Sequence, residues 1–309
     1  MNSQKPPTKD YPKISLVTPS FNQGPYLEET ILSVLNQNYP NLEYYVIDGG
    51  STDGSLDIIR KYAGRLSGWV SEPDRGQAHA INKGWQRCSG DLFGWLNSDD
   101  YLAEDTLHRV ADVYHQHPEK SLGLIYAKAN VISGNGNFLF QHGQEFNLEH
   151  CLLDLIDPLP QPSVFIPKIR LDEFGFLDEN LHYAMDLDLF LRIILAYPPV
   201  FIDEVWSYAR YTPETKTSRN PMGFINEHFV IYQKIFDNPL YHEYAWLKQK
   251  ALVRNHLRRA HLYARAGSLP KMVSDLINVL KIEPFYAAGK SAEILFSKNK
   301  KDYKDIYRI

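Results

Sequence analysis

The chain has 309 residues, 44% hydrophobic and 13% aromatic, with 18 Gly and 19 Pro, a composition that excludes collagen-like repetition and wholesale disorder. Its two cysteines, Cys88 and Cys151, exclude a disulfide scaffold and point to a reducing compartment. The net charge of −4 conceals an asymmetry: residues 1–222 hold 18 Lys and Arg against 29 Asp and Glu, while residues 223–309 hold 15 against 8. An acidic front half excludes a nucleic-acid channel there and suits a cation-assisted site; the basic rear suits a solvated or anionic-lipid-facing surface.

In chain order, Met1 to Lys13 is polar and proline-punctuated, without the apolar segment of a secretory signal. Ile14 to Thr18 reads as a strand, and Leu27, Ile31, Val34 and Leu35 as one helical face opened by Glu28 and Glu29. Tyr44 to Ile47 is a second strand; Leu56, Ile58, Ile59 and Tyr62 form a helix behind Ser51-Thr52-Asp53-Gly54. Trp69-Val70 is a third strand, Ala78, Ile81 and Trp85 a helix, and Leu92 to Leu96 a fourth strand. A helix through Leu107, Val110, Ala111 and Tyr114 and a strand at Leu122 to Ala127 follow. This alternation predicts a mostly parallel, Rossmann-like α/β sheet with helices on both faces.

Beyond it, Gly134-Asn135-Gly136 marks a hairpin between Val131-Ile132 and Phe138 to Phe140, and a helix begins near Asp186. The most apolar stretch, Leu189 to Ile202, is interrupted by Arg192 and two prolines, so no bilayer-spanning segment is expected. From Gly223 only helices are expected: Tyr244 to Arg265, Leu269 to Lys281 and Tyr286 to Lys298. The organisation predicted is a flexible lead (1–12), an α/β domain (13–220, with halves 13–127 and 128–220) and an all-helical C-terminal extension (221–309).

In an open α/β sheet, ligands bind beyond the carboxyl ends of the strands. Thr18 to Asn22, Asp48, Glu72 to Gly76 and Asn97 to Asp100 all follow predicted strands, so carboxylates from several strands converge on one edge. Their mutual repulsion calls for a cation or a hydrogen-bonding ligand, and a hard divalent ion shared with substrate phosphates fits. Neither a GxGxxG nor a GxxxxGK[ST] follows the first strand, which weakens dinucleotide and P-loop readings.

Five segments in this order, each on a predicted strand end or its helix, resemble family 2 glycosyltransferases of the GT-A fold. They are Val17 to Asn22, Glu29 to Gln37, Val46 to Gly54, Asp74 to Gly84, and Gly90-Asp91 leading to Trp95 to Asp100. The resemblance covers about residues 13–218. It implies a metal-dependent inverting transferase that moves a sugar from a nucleotide-diphosphate donor, a UDP-sugar favoured, to a saccharide or lipid-linked saccharide hydroxyl in polysaccharide or glycoconjugate assembly. No nucleic-acid partner is implied.

The resemblance further implies that Asp48 reads the base and that Thr18, Pro19 and Ser20 line the nucleotide through backbone. Asn22, Gly76, Asn82, Lys83, Arg210 and Lys216 complete the donor side. Asp99 holds the ribose and joins Asp100, the ligand of Mn²⁺ or Mg²⁺. Asn97 departs from the aspartate that many members carry, and Thr212 from their histidine. Gln161, Tyr183, Arg192 and Trp206 belong to the acceptor side, and Asp186 matches the general base, with Asp188 in reserve. Tyr208 to Thr212 and Lys216 to Ser218 resemble the stretch that closes over the diphosphate.

Blander readings stand beside these. Asp99-Asp100 and Asp48 are plausible turn residues and Asp186 a plausible helix cap. His79, His115 and His117 read as structural or solvated, and both cysteines as core fillers. Arg259 to Gly267 with Leu276, Val279-Leu280 and Pro284 weakly resembles one tetratricopeptide-type pair. Lys248, Lys250, Arg254, Arg258 and Arg259 suggest peripheral contact with the inner membrane from a cytoplasmic location. A nucleotidyltransferase, which would want a glycine-rich phosphate loop, and a non-catalytic sugar-nucleotide binder or scaffold acting through the helices are the competing readings.

Overall fold

The computed structural model describes residues 11–154, 158–212 and 215–284. The elements run β1 (Ile14–Ser20), α1 (Gly24–Leu35), β2 (Leu42–Asp48), α2 (Ser55–Tyr62), β3 (Gly68–Ser71), α3 (Gln77–Trp85), β4 (Leu92–Trp95), β5 (Tyr101–Leu102), α4 (Thr106–Gln116), β6 (Ile125–Ser133) and β7 (Phe138–His142). There follow α5 (Leu148–Asp154), β8 (Val164–Pro167), α6 (Lys168–Phe174), α7 (Met185–Ile194), β9 (Val200–Tyr211), α8 (Lys216–Arg219), α9 (Pro221–Phe236), α10 (Lys248–Arg265) and α11 (Leu269–Ile282). The expected helix at Tyr286 to Lys298 lies outside the described residues.

The chain forms two compact units. The first takes the chain up to Gln144, Leu159–Glu179 and Tyr197–Tyr211; the second takes Glu145–Pro158, Asn180–Ala196 and the chain from Thr212 onward. This differs from the division expected at residue 220. Helix α7 falls in the second unit with the C-terminal helices, where Tyr241 donates to the Arg192 carbonyl at 2.9 Å and Lys234 pairs with Asp188 at 3.0 Å.

In the first unit the sheet order is β3-β2-β1-β4-β8-β6-β9-β5, with β7 paired to β6. The first four strands are mutually parallel, as the strand–helix alternation requires. The rest is mixed: β8 is antiparallel to β4 and β6, β9 parallel to β6, and β5 antiparallel to β9. Side chains alternate along β1 and β2. Ile14, Leu16, Tyr44 and Val46 join α1, α2 and α4 in one buried cluster, whereas Val17 and Ile47 face Gly84 of α3. Both faces of these strands are therefore covered.

Helix α1 starts at Gly24, one turn before the expected acidic opening, with Pro25 in its first turn and no side-chain cap. Pro25 is suited to that place because the early N–H groups have no helical partner.

In the second unit every described element is helical. Val253, Leu257 and Val279 join α10 to α11, and Gly267, at φ +71°, makes the turn between them. Among the described residues no helix is long and apolar enough to cross a membrane.

Helix α3 reaches the sheet only because residue 84 has no side chain: a Cβ there would stand 2.5 Å from Val17 Cγ1 and 2.6 Å from Cγ2. Gly84→Ala is expected to cost about 1–3 kcal/mol through overpacking, read as a lower urea midpoint with an unchanged m-value.

Candidate active site

Because β3, β2, β1 and β4 are parallel, their carboxyl ends open on one edge. There Leu96 continues the strand by donating to the Val17 carbonyl at 3.0 Å, and Asn97 to Asp100 turn out of the sheet. Asp100 is 5% exposed. Its Oδ1 accepts from the Arg210 backbone N–H at 2.8 Å and its Oδ2 from Asn97 Nδ2 at 3.2 Å. The Thr30 hydroxyl donates to its carbonyl at 2.7 Å. Burial, reinforced by the charge of Asp99, holds the Asp100 pKa well above the usual carboxylate range. Asp99 is raised as well, by burial.

Two adjacent carboxylates that favour protons over bare charge fit a hard divalent ion whose shell is completed by phosphate oxygens. Among the described residues no group of three or more His, Cys, Asp and Glu gathers to hold a metal.

Arg210, on β9, was expected at the phosphate; the structure corrects this. The side chain is buried and fully committed within the first unit. Its Nε donates to the Asp99 carbonyl at 3.0 Å and Nη1 to Gly134 O at 3.1 Å. Nη2 meets Glu29 at 2.6 Å, and the guanidinium lies 4.5 Å from the Tyr26 ring centroid. It is a brace for the carboxylate pair. The same strand carries Tyr208, stacked on Tyr101 at 4.5 Å, so residues 208–211 are sheet and not a closing loop.

Asn97 explains its own departure from aspartate. It accepts from Gln77 Nε2 at 2.6 Å and donates to Gln161 Oε1 at 2.9 Å as well as to Asp100. A carboxylate there would accept only and would repel Asp100. Gln161 also donates to the Trp95 carbonyl at 2.7 Å, so its described contacts are those of a support for Asn97.

Other residues expected at the ligand also make contacts within the protein. Asp48 has no exposed surface: Oδ2 accepts from Gly50 N, Ser51 N and Ser71 Oγ, and Oδ1 from Ser51 Oγ. These bonds close its loop. Asn82 is buried, with Nδ2 donating to the Leu177 carbonyl and to Glu179. Lys83 pairs with Glu72 at 2.8 Å. Thr18 bonds the Tyr44 hydroxyl at 2.9 Å, and Asn22 bonds Ser51 and Thr52. Trp206 is fully buried in the core beside Phe165 and cannot stack on a sugar.

Pro19 is buried in β1, and Gly76, at φ +117°, starts α3 with its N–H on Asp74. Ser20 is different. It is 3% exposed at the end of β1, and among the described residues its hydroxyl has no hydrogen-bond partner. Phe21, 60% exposed, and Asp74 flank Gly49, where a Cβ would lie 2.6 Å from Asp74 Oδ2 and 3.3 Å from the Phe21 ring. Phe21, an aromatic left in solvent directly after a strand end on that edge, was not among the expected site residues. Burial pushes the Cys88 thiol up to about 12, which suits the core-filler reading.

In the second unit Asp186 lies in the first turn of α7. It does not cap the helix: the N-cap position is Ala184, without a side-chain bond, and Asp186 Oδ1 accepts from Leu187 N at 2.9 Å. Burial raises its pKa. Asp188 is bound instead to Arg192 and Lys234 at 3.0 Å each. Tyr183 accepts from Asn220 Nδ2 at 2.8 Å, and Lys216 donates to the His182 carbonyl at 3.4 Å. Glu227 of α9, which sequence patterns do not single out, accepts from the N–H groups of His182, Tyr183 and Ala184.

The basic set expected at a membrane is largely engaged as well. Arg258 is buried, Arg259 makes two bonds to Asp275, and Lys248 pairs with Asp237.

A parallel half-sheet ending in a braced Asp-Asp pair, continued by mixed strands, defines a GT-A-type transferase domain. The solved structures agree on the fold. TarS of S. aureus, in complex with UDP-GlcNAc, superposes with a TM-score of 0.68 at 19% identity, covering 92% of this chain and 89% of that one. The mannosyltransferase PcManGT of Pyrobaculum calidifontis, in complex with GDP-Man and Mn²⁺, gives 0.57 at 19% identity, covering 93% and 86%.

The model of glycosyl transferase family 2 matches residues 15–157. TuaG of Bacillus subtilis, a putative teichuronic acid biosynthesis glycosyltransferase, is 30% identical over 173 residues, 52% of this chain and 68% of that protein. An uncharacterized glycosyltransferase of Rickettsia typhi is 25% identical over 227 residues, 72% and 70%. The chain belongs to glycosyltransferase family 2.

Two outcomes follow. Arg210→Ala leaves buried carbonyl acceptors unmet and is expected to cost about 1–3 kcal/mol in denaturant unfolding; Arg210→Lys recovers little of it, because one ammonium cannot replace the planar fork. Asp99 has its folded pKa raised, so its charge opposes folding once the pH exceeds the unfolded carboxylate value. Asp99→Asn should therefore be more thermostable than wild type near neutral pH without divalent ions, the difference vanishing below about pH 4.

Proposed function

We propose that this glycosyltransferase moves a sugar from a nucleotide-diphosphate donor, a UDP-sugar favoured, to a hydroxyl of a saccharide or lipid-linked saccharide acceptor, with inversion, in polysaccharide assembly. The observation that carries the donor side is the Asp99–Asp100 pair at the carboxyl edge of the parallel strands, with Asp100 buried and hydrogen-bonded and Asp99 half-buried beside it. Ser20, at the end of β1, has a buried hydroxyl without a partner among the described residues. The UDP-GlcNAc bound to TarS, the GDP-Man and Mn²⁺ bound to PcManGT, and the teichuronic acid role given to TuaG support the reading.

In this reading Asp99 and Asp100 hold Mn²⁺ or Mg²⁺, with Asp99, the less enclosed of the two, the leading ligand. Such an ion, when bound, neutralises the charge that develops on the diphosphate. Thr18, Pro19 and Ser20 present the end of β1 to the nucleotide, and Phe21 offers the base a ring face in place of the hydrogen bond expected from Asp48. Asp186 takes the proton of the acceptor hydroxyl as its oxygen attacks the anomeric carbon from the face opposite the nucleotide, so the configuration inverts. A pKa raised by burial suits a carboxylate to that role. Lys216, exposed on α8, supplies a cation for phosphate.

The test is release of free nucleoside diphosphate from a donor panel, with and without Mn²⁺ or Mg²⁺ and with saccharide acceptors. Asp186→Asn is expected to lower kcat about 10²–10⁴-fold while donor binding, followed by thermal shift, stays unchanged. Near-normal turnover in that variant overturns the base assignment, and absence of turnover with every donor overturns the transfer reading.

A further inference from the structure

The loop that launches α7 has no cap of its own. Three successive backbone N–H groups point at one carboxylate: His182 N lies 2.7 Å from Glu227 Oε1, and Tyr183 N and Ala184 N each lie 2.8 Å from Oε2. Such a cluster ordinarily needs an anion or a capping side chain from the same segment. Here it is supplied from α9, more than forty residues downstream and outside the span that matches the family model.

The rest of α9 is built for this contact. Asn220, Gly223 and Glu227 recur at i, i+3 and i+7, one helical face. Asn220 caps α9 through Gly223 N at 2.9 Å while its Nδ2 donates to the Tyr183 hydroxyl at 2.8 Å. Gly223 admits the Tyr183 ring, since a Cβ there would stand 2.6 Å from Cε2. All three residues of that face thus serve Tyr183 and its neighbours, and Asp186 follows two residues after Ala184.

We propose that Glu227 is a positioning residue for the general base: it holds residues 182–184 so that α7 starts in one place and presents Asp186 in one orientation. The inference rests on the reading of Asp186 as the base. Glu227 touches neither donor nor acceptor in it and acts through Asp186 alone. The charged groups facing Asp186 among the described residues are Glu227 of α9, which favours its protonated form, and Lys216 of α8, which opposes this. On α7 itself Asp188 is neutralised by Arg192 and Lys234.

The experiment compares Glu227→Gln and Gly223→Ala with Asp186→Asn in the full chain, with Mn²⁺ and a turned-over donor, measuring kcat, donor KM and the pH dependence of kcat. Glutamine offers one acceptor and an amide that repels the remaining N–H groups. Glu227→Gln is expected to lower kcat about 10–10²-fold by misplacing the base with donor KM within about twofold. It should also move the acid limb of kcat to lower pH, because a negative charge beside Asp186 has gone.

Gly223→Ala displaces Tyr183 but keeps the carboxylate, so kcat should fall with the acid limb in place; this variant carries the test if Glu227→Gln does not fold. Wild-type kcat and acid limb in Glu227→Gln, or wild-type kcat in Gly223→Ala, alongside an inactive Asp186→Asn, overturn the inference and leave the base reading intact. A fully active Asp186→Asn removes the base reading itself.

Discussion

Keeping two neighbouring carboxylates out of water at the end of a parallel half-sheet is the constraint around which the first unit is arranged. Neither Asp99 nor Asp100 gains from burial: desolvation raises both pKa values, and proximity adds to the effect at Asp100. Several distant segments compensate. Thr30 comes from α1, Asn97 from the turn itself, and Arg210 from the end of β9, with Gln77 and Gln161 fixing Asn97. The bonds from Asn97 and Arg210 reach the Asp100 carboxylate and that from Thr30 a buried carbonyl, the class in which an unmet partner is most costly.

Among the motif residues, Asn82 and Lys83 lie within α3 and bond across to Leu177, Glu179 and Glu72. Asp48 and Asn22 sit where β2 and β1 end, and there backbone N–H and C=O groups leave the ladder and require partners. Short polar side chains provide them. Such residues are specified by the loop's own hydrogen bonding as strictly as ligand contacts are by a substrate, so a motif alone does not separate the two. Ser20 stands apart because its hydroxyl is buried without a partner.

In the second unit, the helix that carries Asp186 is stabilised from elsewhere in the chain. Its start depends on Glu227, and Asp188 is held by Arg192 and Lys234. The two carboxylates in the first turn of α7 therefore have different environments: Asp188 is paired with two cations, whereas the Asp186 pKa is raised by desolvation.

What the sequence determined by itself was the alternation of strand and helix in the front half, the edge on which the acidic motifs gather, and the family. These rest on local periodicity and on residues close in the chain, as in β1 to β4 and in the segments leading to Asp100. It did not reveal β8, β9 or α6, nor that Arg210 and Trp206 face inward, because strand pairing and burial depend on partners far away in sequence: β9 pairs with β6 and β5, whose order in the sheet no local pattern encodes. The roles of Glu227, Asn97 and Arg210 were decided only by tertiary structure, since a hydrogen bond across 110 residues, such as Arg210 to Asp100, leaves no spacing to read.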